Sequence, residues 1–145
     1  MNPILEMFKA HIGKPMSDVA PPLTQWLGGT LLKAELGSFE MSFTVRKEMT
    51  NPAGLLHGGI HASILDDIIG MTVAALGLAN LYVSINLHID FLAPAKIGET
   101  VVAKSTIIRS GKTIVNAVAE IYNESGQLLS KATSNLANTG MPTVL

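Results

Sequence analysis

The sequence of 145 residues contains no cysteine. A disulfide framework, a thiolate nucleophile and a cysteine-based zinc site are therefore excluded. Charged side chains are scarce as well, at 14%, where soluble domains have about a quarter. Neither sign prevails, because 10 Lys and Arg stand against 11 Asp and Glu for a net charge of −1. This balance argues against binding to nucleic acid and against a polybasic membrane anchor.

Apolar residues make up 48% of the chain, a high share for a small soluble protein. Such a chain either crosses a membrane or buries surface against other copies of itself. Residues 60–79 are the most apolar window, but Asp66 and Asp67 lie in its middle, and each would cost about 2.5–3.5 kcal/mol at the centre of a bilayer. Residues 1–14 lack the basic and long apolar regions of a signal peptide. We therefore expect a soluble, cytoplasmic homo-oligomer that contacts no membrane.

The residue pattern predicts a short helical segment, a connector, and then a chain that is mostly strand. Asn2 can cap a helix over residues 4–12, and the pairs Pro21-Pro22 and Gly28-Gly29 mark a connector. Residues 50–59 are predicted to form a loop, and residues 60–78 the one long helix. The predicted strands cover residues 31–35, 39–46, 82–91, 100–109, 113–122 and 128–137. Short links between the last four predict an antiparallel meander.

Polar and apolar residues alternate along the strand over residues 82–91. This alternation predicts one polar and one apolar face along the whole strand. His88 then lies on the solvated or interfacial polar face. The polar set is Tyr82, Ser84, Asn86, His88 and Asp90.

The long helix is apolar on every side. At 100° per residue, Ile64 and Ile68 share one side while Leu65 and Ile69 lie on others. We expect an antiparallel sheet of five to six strands to curl around the helix in an α+β fold, with a second subunit covering what remains. Glycines in a helix cost about 1 kcal/mol each relative to alanine. Close packing on the shared face of Gly70 and Gly77 is the expected compensation.

Two carboxylates inside this apolar helix are the main candidates for chemistry. A buried carboxylate is rare unless it is paired, and an apolar environment raises its pKa, which makes it a better base. At least one of Asp66 and Asp67 is therefore predicted to act catalytically. The alternative is that they bond a neighbouring subunit or lie at a solvated edge. Periodicity alone does not choose between the two residues.

A His57-Gly58-Gly59 triplet stands at the start of the helix. The first backbone N–H groups of a helix have no intrahelical partners, and the helix dipole favours negative charge there. Glycines allow a ligand to approach this backbone closely, so the site suits a developing oxyanion. An ordinary Gly-rich turn remains the alternative.

Rival motifs are weaker. A metal site on His57, His61 and Asp66 is disfavoured, because His57 precedes the helix and no third ligand stands at ligand spacing. Gly111-Lys112-Thr113 resembles the end of a P-loop, but Thr106 stands where the first glycine must be. No Gly-x-Ser-x-Gly elbow occurs, which disfavours a serine hydrolase. No metal and no cofactor are expected.

Several segments together resemble one known family. The residues that carry the resemblance are the run Asn51-Pro52-Ala53-Gly54-Leu55-Leu56-His57-Gly58-Gly59, followed by Asp66 in the helix and Ser84 on the next strand. They are similar to the signature of the PaaI-like hotdog-fold acyl-CoA thioesterases, within the 4-hydroxybenzoyl-CoA thioesterase superfamily. The similarity continues through Phe91-Leu92-Ala93-Pro94-Ala95, Gly98-Glu99 and Gly111-Lys112-Thr113 and covers about residues 31–137. It implies a hotdog core over residues 30–138 in a single domain of residues 1–145, with residues 1–29 as N-terminal helix and connector.

The resemblance also implies a site between subunits of a dimer, or of a dimer of dimers such as a homotetramer. In such a site the Gly58 N–H and the Asn51 amide polarise the thioester carbonyl. Asp66 of the partner subunit activates water, or attacks directly, with help from the Ser84 hydroxyl. His57 and Gly59 shape the substrate-binding loop. A basic turn contacts the CoA nucleotide, and it consists of Arg109, Ser110, Gly111 and Lys112.

The implied reaction is hydrolysis of acyl-CoA to free CoA and a carboxylic acid. Two alternatives stay open: a hotdog hydratase or dehydratase acting on acyl thioesters, and a non-catalytic module that binds acyl-CoA.

Overall fold

The computed structural model describes residues 1–16 and 20–144. Its elements, in chain order, are α1 (Pro3–Ala10), α2 (Pro22–Leu27), β1 (Thr30–Glu35), β2 (Ser38–Thr44), a 3₁₀ turn (Lys47–Met49), α3 (Gly58–Ala74), β3 (Asn80–Phe91), β4 (Thr100–Ser110), β5 (Ile114–Asn123) and β6 (Leu128–Pro142). The six strands form one antiparallel sheet in the order β1-β2-β4-β5-β6-β3, and α3 packs against it. The predicted α+β hotdog architecture is confirmed.

The long helix α3 begins two residues earlier and ends four residues earlier than predicted. Its first residue is Gly58, because the His57 side chain caps the helix. Its last turn closes at Ala75, and Gly77, in the left-handed region at φ 69°, turns the chain away. Gly77 therefore lies outside the helix, where an added Cβ would come within 3.0 Å of the Asn2 amide. In the part of the chain that the structure describes, no helix is long and apolar enough to cross a membrane.

Within one chain, α3 is covered on one side only. Ile64, Leu65, Ile68 and Ile69 are fully buried against the sheet, so side chains that a simple helical wheel separates share the same core. On the opposite side Gly59, Asp66, Gly70 and Ala74 remain exposed. The sheet alone does not enclose the helix.

The predicted meander of the last four strands is wrong at its first link. Strand β3 pairs with β6 at the sheet edge, while β4 pairs with β2 and β5. The connecting residues 92–99 bond elsewhere: the N–H groups of Leu92 and Ala93 donate to Leu129, and Ala95 accepts from Leu56. A link of this length reaches across the end of the sheet, so it does not have to fold back as a hairpin.

The uniform alternation predicted along β3 is also wrong. The pairing with β6 shifts register between Ser84 and Asn86, which leaves a β-bulge at Ile85. Before the bulge, Ser84 bonds a carboxylate on α3. After it, Leu87 and Ile89 pack on the core. A single extra residue therefore exchanges the two faces of the strand.

The N-terminal region contains a second helix where a connector was predicted. Helix α1 is capped by Asn2 as expected, whose Oδ1 accepts from the N–H of Leu5 at 3.1 Å. The Asn2 amide also donates to the carbonyl of Ala75 at 2.8 Å, which ties α1 to the end of α3. Helix α2 begins with Pro22, a residue whose fixed φ suits the first helical position.

Candidate active site

Asp66 lies on the exposed side of α3, one helical turn before Gly70. Its Oδ1 accepts a hydrogen bond from the Ser84 hydroxyl at 3.1 Å. The bulge at Ile85 provides this contact, because it leaves Ser84 on the side of β3 that faces the helix. The structure thus brings together two of the residues that the sequence singles out.

Asp67 occupies a different environment. Its Oδ1 accepts from the hydroxyl of Thr24, a buried residue of α2, at 2.9 Å. Within residues 1–16 and 20–144, its Oδ2 is buried without a hydrogen-bond partner. Burial raises the pKa of the Asp67 carboxyl above its ordinary value, the Thr24 hydrogen bond opposes this shift, and the charge of Asp66 adds to it. Asp67 therefore joins α2 to α3, whereas Asp66 stays open to an approaching molecule.

Both carboxylates line a cavity of about 470 Å³. Its walls come from the N-terminal segment, from α3 and from β3, and they are mostly apolar. The size falls within the usual range of small-molecule pockets. The lining residues are Met7, Phe8, Met16, Ala20, Pro21, Thr24, Asp66, Asp67, Gly70, Met71, Ala74, Tyr82, Val83, Ser84 and Leu136.

A second group of predicted residues surrounds the start of α3. The Nδ1 of His57 accepts from the N–H of Gly59 at 2.8 Å, and the His57 carbonyl accepts from Ile60 and His61. Among the described residues, the Gly58 N–H alone in this first turn has no acceptor. A Cβ at Gly59 would come within 3.1 Å of the His57 ring, so glycine there protects the cap. The first turn therefore presents one backbone donor, at the positive end of the helix dipole.

Asn51 stabilises the loop that leads to this turn. Its Oδ1 accepts from the N–H groups of Ala53 and Leu55 at 3.0 and 3.1 Å. The described residues offer no hydrogen-bond partner to its Nδ2. The Asn51 Oδ1 thus holds the loop, while its Nδ2 has two N–H donors that no described residue uses.

Sequence reasoning missed Phe91 as a neighbour of the Gly58 donor. An added Cβ on Gly58 would lie 3.4 Å from the Phe91 ring, so the ring packs close beside this backbone. The ring of His61 packs edge-to-face on Phe91 at 5.7 Å, and its Nδ1 lies 2.8 Å from the buried hydroxyl of Ser130. Phe91 and Ser130 are directly paired across β3 and β6. Only the strand register brings these three residues together, and the sequence did not provide it.

The buried His61 predicts a pH-dependent stability. Burial lowers its pKa below the ordinary value of 6.5. The unfolded chain then takes up a proton that the folded chain does not, so this source of stability is complete above pH 6.5 and is lost as the pH falls below it. We expect urea unfolding to show that, below pH 6.5, this residue lowers the free energy of unfolding by up to about 1.4 kcal/mol per pH unit. The loss should be absent in His61→Gln, and an equal acid slope in that variant would contradict the assignment.

The basic turn lies at the Tyr82 end of the cavity, away from Gly58. The Tyr82 hydroxyl donates to the Lys112 carbonyl at 2.9 Å and to the Gly111 carbonyl at 3.3 Å. Arg109 and Ser110 end β4 on the exposed side of this turn. Tyr82 lines the cavity as well, so it connects the turn to the wall that holds Asp66.

The predicted site residues therefore form three groups: Asp66 with Ser84, the loop and first turn with Asn51, His57, Gly58 and Gly59, and the turn at residues 109–112. His57 and His61 bond separate partners. Over residues 1–16 and 20–144, no group of three or more His, Asp or Glu could hold a metal ion.

Comparison with known proteins agrees with this fold. Residues 53–130 match the model of the Thioesterase superfamily. Acyl-coenzyme A thioesterase 13 of Homo sapiens is 31% identical over 112 residues, which cover 75% of this chain and 80% of that protein. The PaaI protein of E. coli, from the phenylacetic acid degradation operon, superimposes with a TM-score of 0.79 at 22% identity, covering 86% of this chain and 88% of that one.

A thioesterase protein of Streptococcus pneumoniae, solved with coenzyme A, gives a TM-score of 0.75 at 26% identity and covers 80% of this chain and 89% of its own. The resemblance to PaaI-like hotdog proteins is thus confirmed. The chain belongs to the thioesterase superfamily and is a thioester hydrolase of the hotdog fold.

Proposed function

We propose that this enzyme hydrolyses acyl-CoA thioesters to free CoA and a carboxylic acid. The observation that carries the proposal is an exposed carboxylate, Asp66, bonded to Ser84 on the wall of an apolar cavity. A human relative is named an acyl-CoA thioesterase, and a bacterial relative was solved with coenzyme A. Both support CoA as the carrier of the acyl group.

In the proposed reaction, the oxygen of a water molecule attacks the thioester carbonyl carbon while Asp66 takes the water proton. The Gly58 N–H and the Asn51 Nδ2 stabilise the oxyanion that forms on the carbonyl oxygen. The C–S bond then breaks, and the departing sulfur of CoA receives the proton from Asp66. Direct attack by the Asp66 carboxylate, followed by hydrolysis of the resulting anhydride, uses the same residues.

Helix geometry supports a site shared between two chains. Gly58 and Asp66 are eight residues apart on α3, which corresponds to about 12 Å along the helix axis. One carbonyl with its attacking water spans far less than this distance. The donor and the base that act on one thioester therefore come from different copies of the chain.

Strand β3 supports the same arrangement. It is 12 residues long and lies at an edge of the sheet. It exposes Leu81, Val83, Ile85 and Phe91, each between 44% and 59% accessible. Long apolar edge strands are normally covered in native proteins. We expect a second copy to pair along β3, and association of two such dimers into a homotetramer remains a prediction.

The turn at residues 109–112 supports binding of the CoA moiety. Arg109 and Lys112 carry positive charge suited to phosphate groups, and both residues are exposed. His57 and Gly59 remain predicted as residues that shape the substrate-binding loop. The cytoplasmic location and the single-domain division of residues 1–145 also stay predictions.

The proposal is tested by measuring free CoA with a thiol-reactive dye, using acetyl-, decanoyl-, palmitoyl- and phenylacetyl-CoA. The chain contributes no thiol background, since it has no cysteine. We expect turnover with at least one apolar acyl-CoA. We also expect poor turnover of succinyl-CoA, because its terminal carboxylate would meet Asp66 and Asp67 in the cavity. A folded protein that releases no CoA from any of them would overturn the proposal.

The same assay separates the alternatives. A hydratase would consume the double bond of an enoyl-CoA, seen as loss of ultraviolet absorbance, without releasing CoA. A binding module would retain acyl-CoA affinity in calorimetry and show neither reaction.

A further inference from the structure

The cavity next to Asp66 suits an acyl group rather than CoA. Among the described residues, its polar lining side chains are Thr24, Asp66, Asp67, Tyr82 and Ser84, and no Lys or Arg lines it. The phosphates of CoA would face two carboxylates without a cation to balance them. An apolar acyl group would instead contact the thioether and aromatic side chains of Met7, Phe8, Met16 and Met71.

Gly70 lines this cavity, and the presence of a glycine inside a helix needs an explanation. It lies inside α3, one turn after Asp66 and on the same exposed side. Glycine is the least favourable residue for a helix interior apart from proline. The expected compensation, close packing of a neighbour, is absent within the described chain, since an added Cβ at Gly70 would meet nothing within 4 Å. The space beside Gly70 is part of the cavity itself.

We infer that Gly70 is a specificity-determining residue, whose missing side chain keeps the cavity open for an apolar acyl group larger than acetyl. This inference rests on the proposed function and extends it to the substrate class. The thioester lies at Asp66 and Ser84, and the acyl group fills the cavity beside Gly70, beneath the N-terminal segment. A leucine at position 70 would extend into that space, and its Cβ would meet no atom of the described residues within 4 Å.

A different role for Gly70 is close packing against the α3 helix of a second copy. The two roles predict different results for the same substitution. In the packing role, a leucine separates the copies. In the acyl role, the assembly persists and only the larger acyl groups bind more weakly.

The test compares wild type, Gly70→Leu, Gly70→Ala and the control Ala10→Leu, which adds the same side chain at an exposed position on α1 outside the cavity. For each protein we would measure kcat/KM for decanoyl-CoA and acetyl-CoA, and the assembly state by sedimentation velocity. Affinities for both acyl-CoAs, measured by calorimetry in an Asp66→Asn background, provide a readout that needs no turnover.

Each methylene that loses its buried contacts costs about fourfold in binding. We therefore expect Gly70→Leu to lower the decanoyl-to-acetyl ratio, in kcat/KM and in affinity, by at least tenfold with the assembly unchanged. Gly70→Ala should raise the melting temperature, and Ala10→Leu should match wild type. A ratio within twofold of wild type, or dissociation of the Gly70→Leu assembly, would overturn the inference. Absence of turnover in wild type would count against the proposed function alone, since the affinity ratio still tests Gly70.

Discussion

The Asp66→Asn variant is expected to lose about 10²- to 10⁴-fold in kcat for acyl-CoA hydrolysis, the usual contribution of a positioned general base. Asparagine has the same shape and can still accept the Ser84 hydrogen bond through its oxygen, so the fold should be retained. It cannot take a proton from water, nor attack the thioester. The loss should therefore fall mainly on kcat, with KM changed by no more than about threefold.

The measurement is CoA release under saturating substrate, together with thermal unfolding of both proteins. Glu124→Gln is the matched control, because Glu124 is an exposed carboxylate in the turn between β5 and β6 and lies outside the cavity. It should behave as wild type. Turnover of Asp66→Asn within twofold of wild type would remove Asp66 from the mechanism.

Replacing Gly58 with proline is expected to lower kcat by about 10²- to 10³-fold, because this is the usual cost of losing one donor from an oxyanion hole. Proline deletes the backbone N–H without breaking the helix, since Gly58 is the first residue of α3 and proline is favoured at that position. His57 before it has φ −64° and ψ 139°, a conformation that a following proline allows. The substitution therefore removes the donor and little else.

Gly58→Ala controls for the added bulk. It keeps the N–H and places its Cβ 3.4 Å from the exposed ring of Phe91, which can move by the small amount required. We expect Gly58→Ala to retain most of its kcat. Equal losses in the alanine and proline variants would indicate crowding by Phe91, and would contradict the role of the N–H.

The sequence was sufficient for the class of fold and for the identity of the central helix. It did not predict which β-strands pair, because strand pairing depends on contacts between residues far apart in the chain. Strand β3 pairs with β6, although β4 follows it in the chain, because residues 92–99 find backbone partners on β6 and on the loop before α3. Local periodicity carries no information about such contacts.

The bulge at Ile85 shows the same limit at the site. Strict alternation placed Ser84 and Asn86 on one face, whereas the register shift sends Ser84 to Asp66 and leaves the Asn86 side chain bonded to the backbone of Asn135. The family resemblance implied that the Ser84 hydroxyl helps Asp66, whereas the strand pattern gave no sign of it. Bulges beside active sites often redirect a side chain in this way.

The two aspartates illustrate what tertiary structure adds. Periodicity could not choose between Asp66 and Asp67, and the structure distinguishes them by Thr24, a residue of the unpredicted helix α2. Pro22 at the start of α2 is a usable helix signal, although the pairs Pro21-Pro22 and Gly28-Gly29 also suit a connector. With Thr24 bound to Asp67, the exposed carboxylate beside the cavity is Asp66.

The shared site is tested most directly by combining two inactive variants. Asp66→Asn and Gly58→Pro chains, carrying different affinity tags, would be co-expressed, and the mixed assemblies purified through both tags. If each site takes its base from one chain and its donor from the other, a mixed dimer contains one intact site and one doubly altered site. We expect CoA release by the purified mixed dimer to recover to about half of the wild-type rate, far above either variant alone. A mixed assembly no more active than its parents would contradict the shared site.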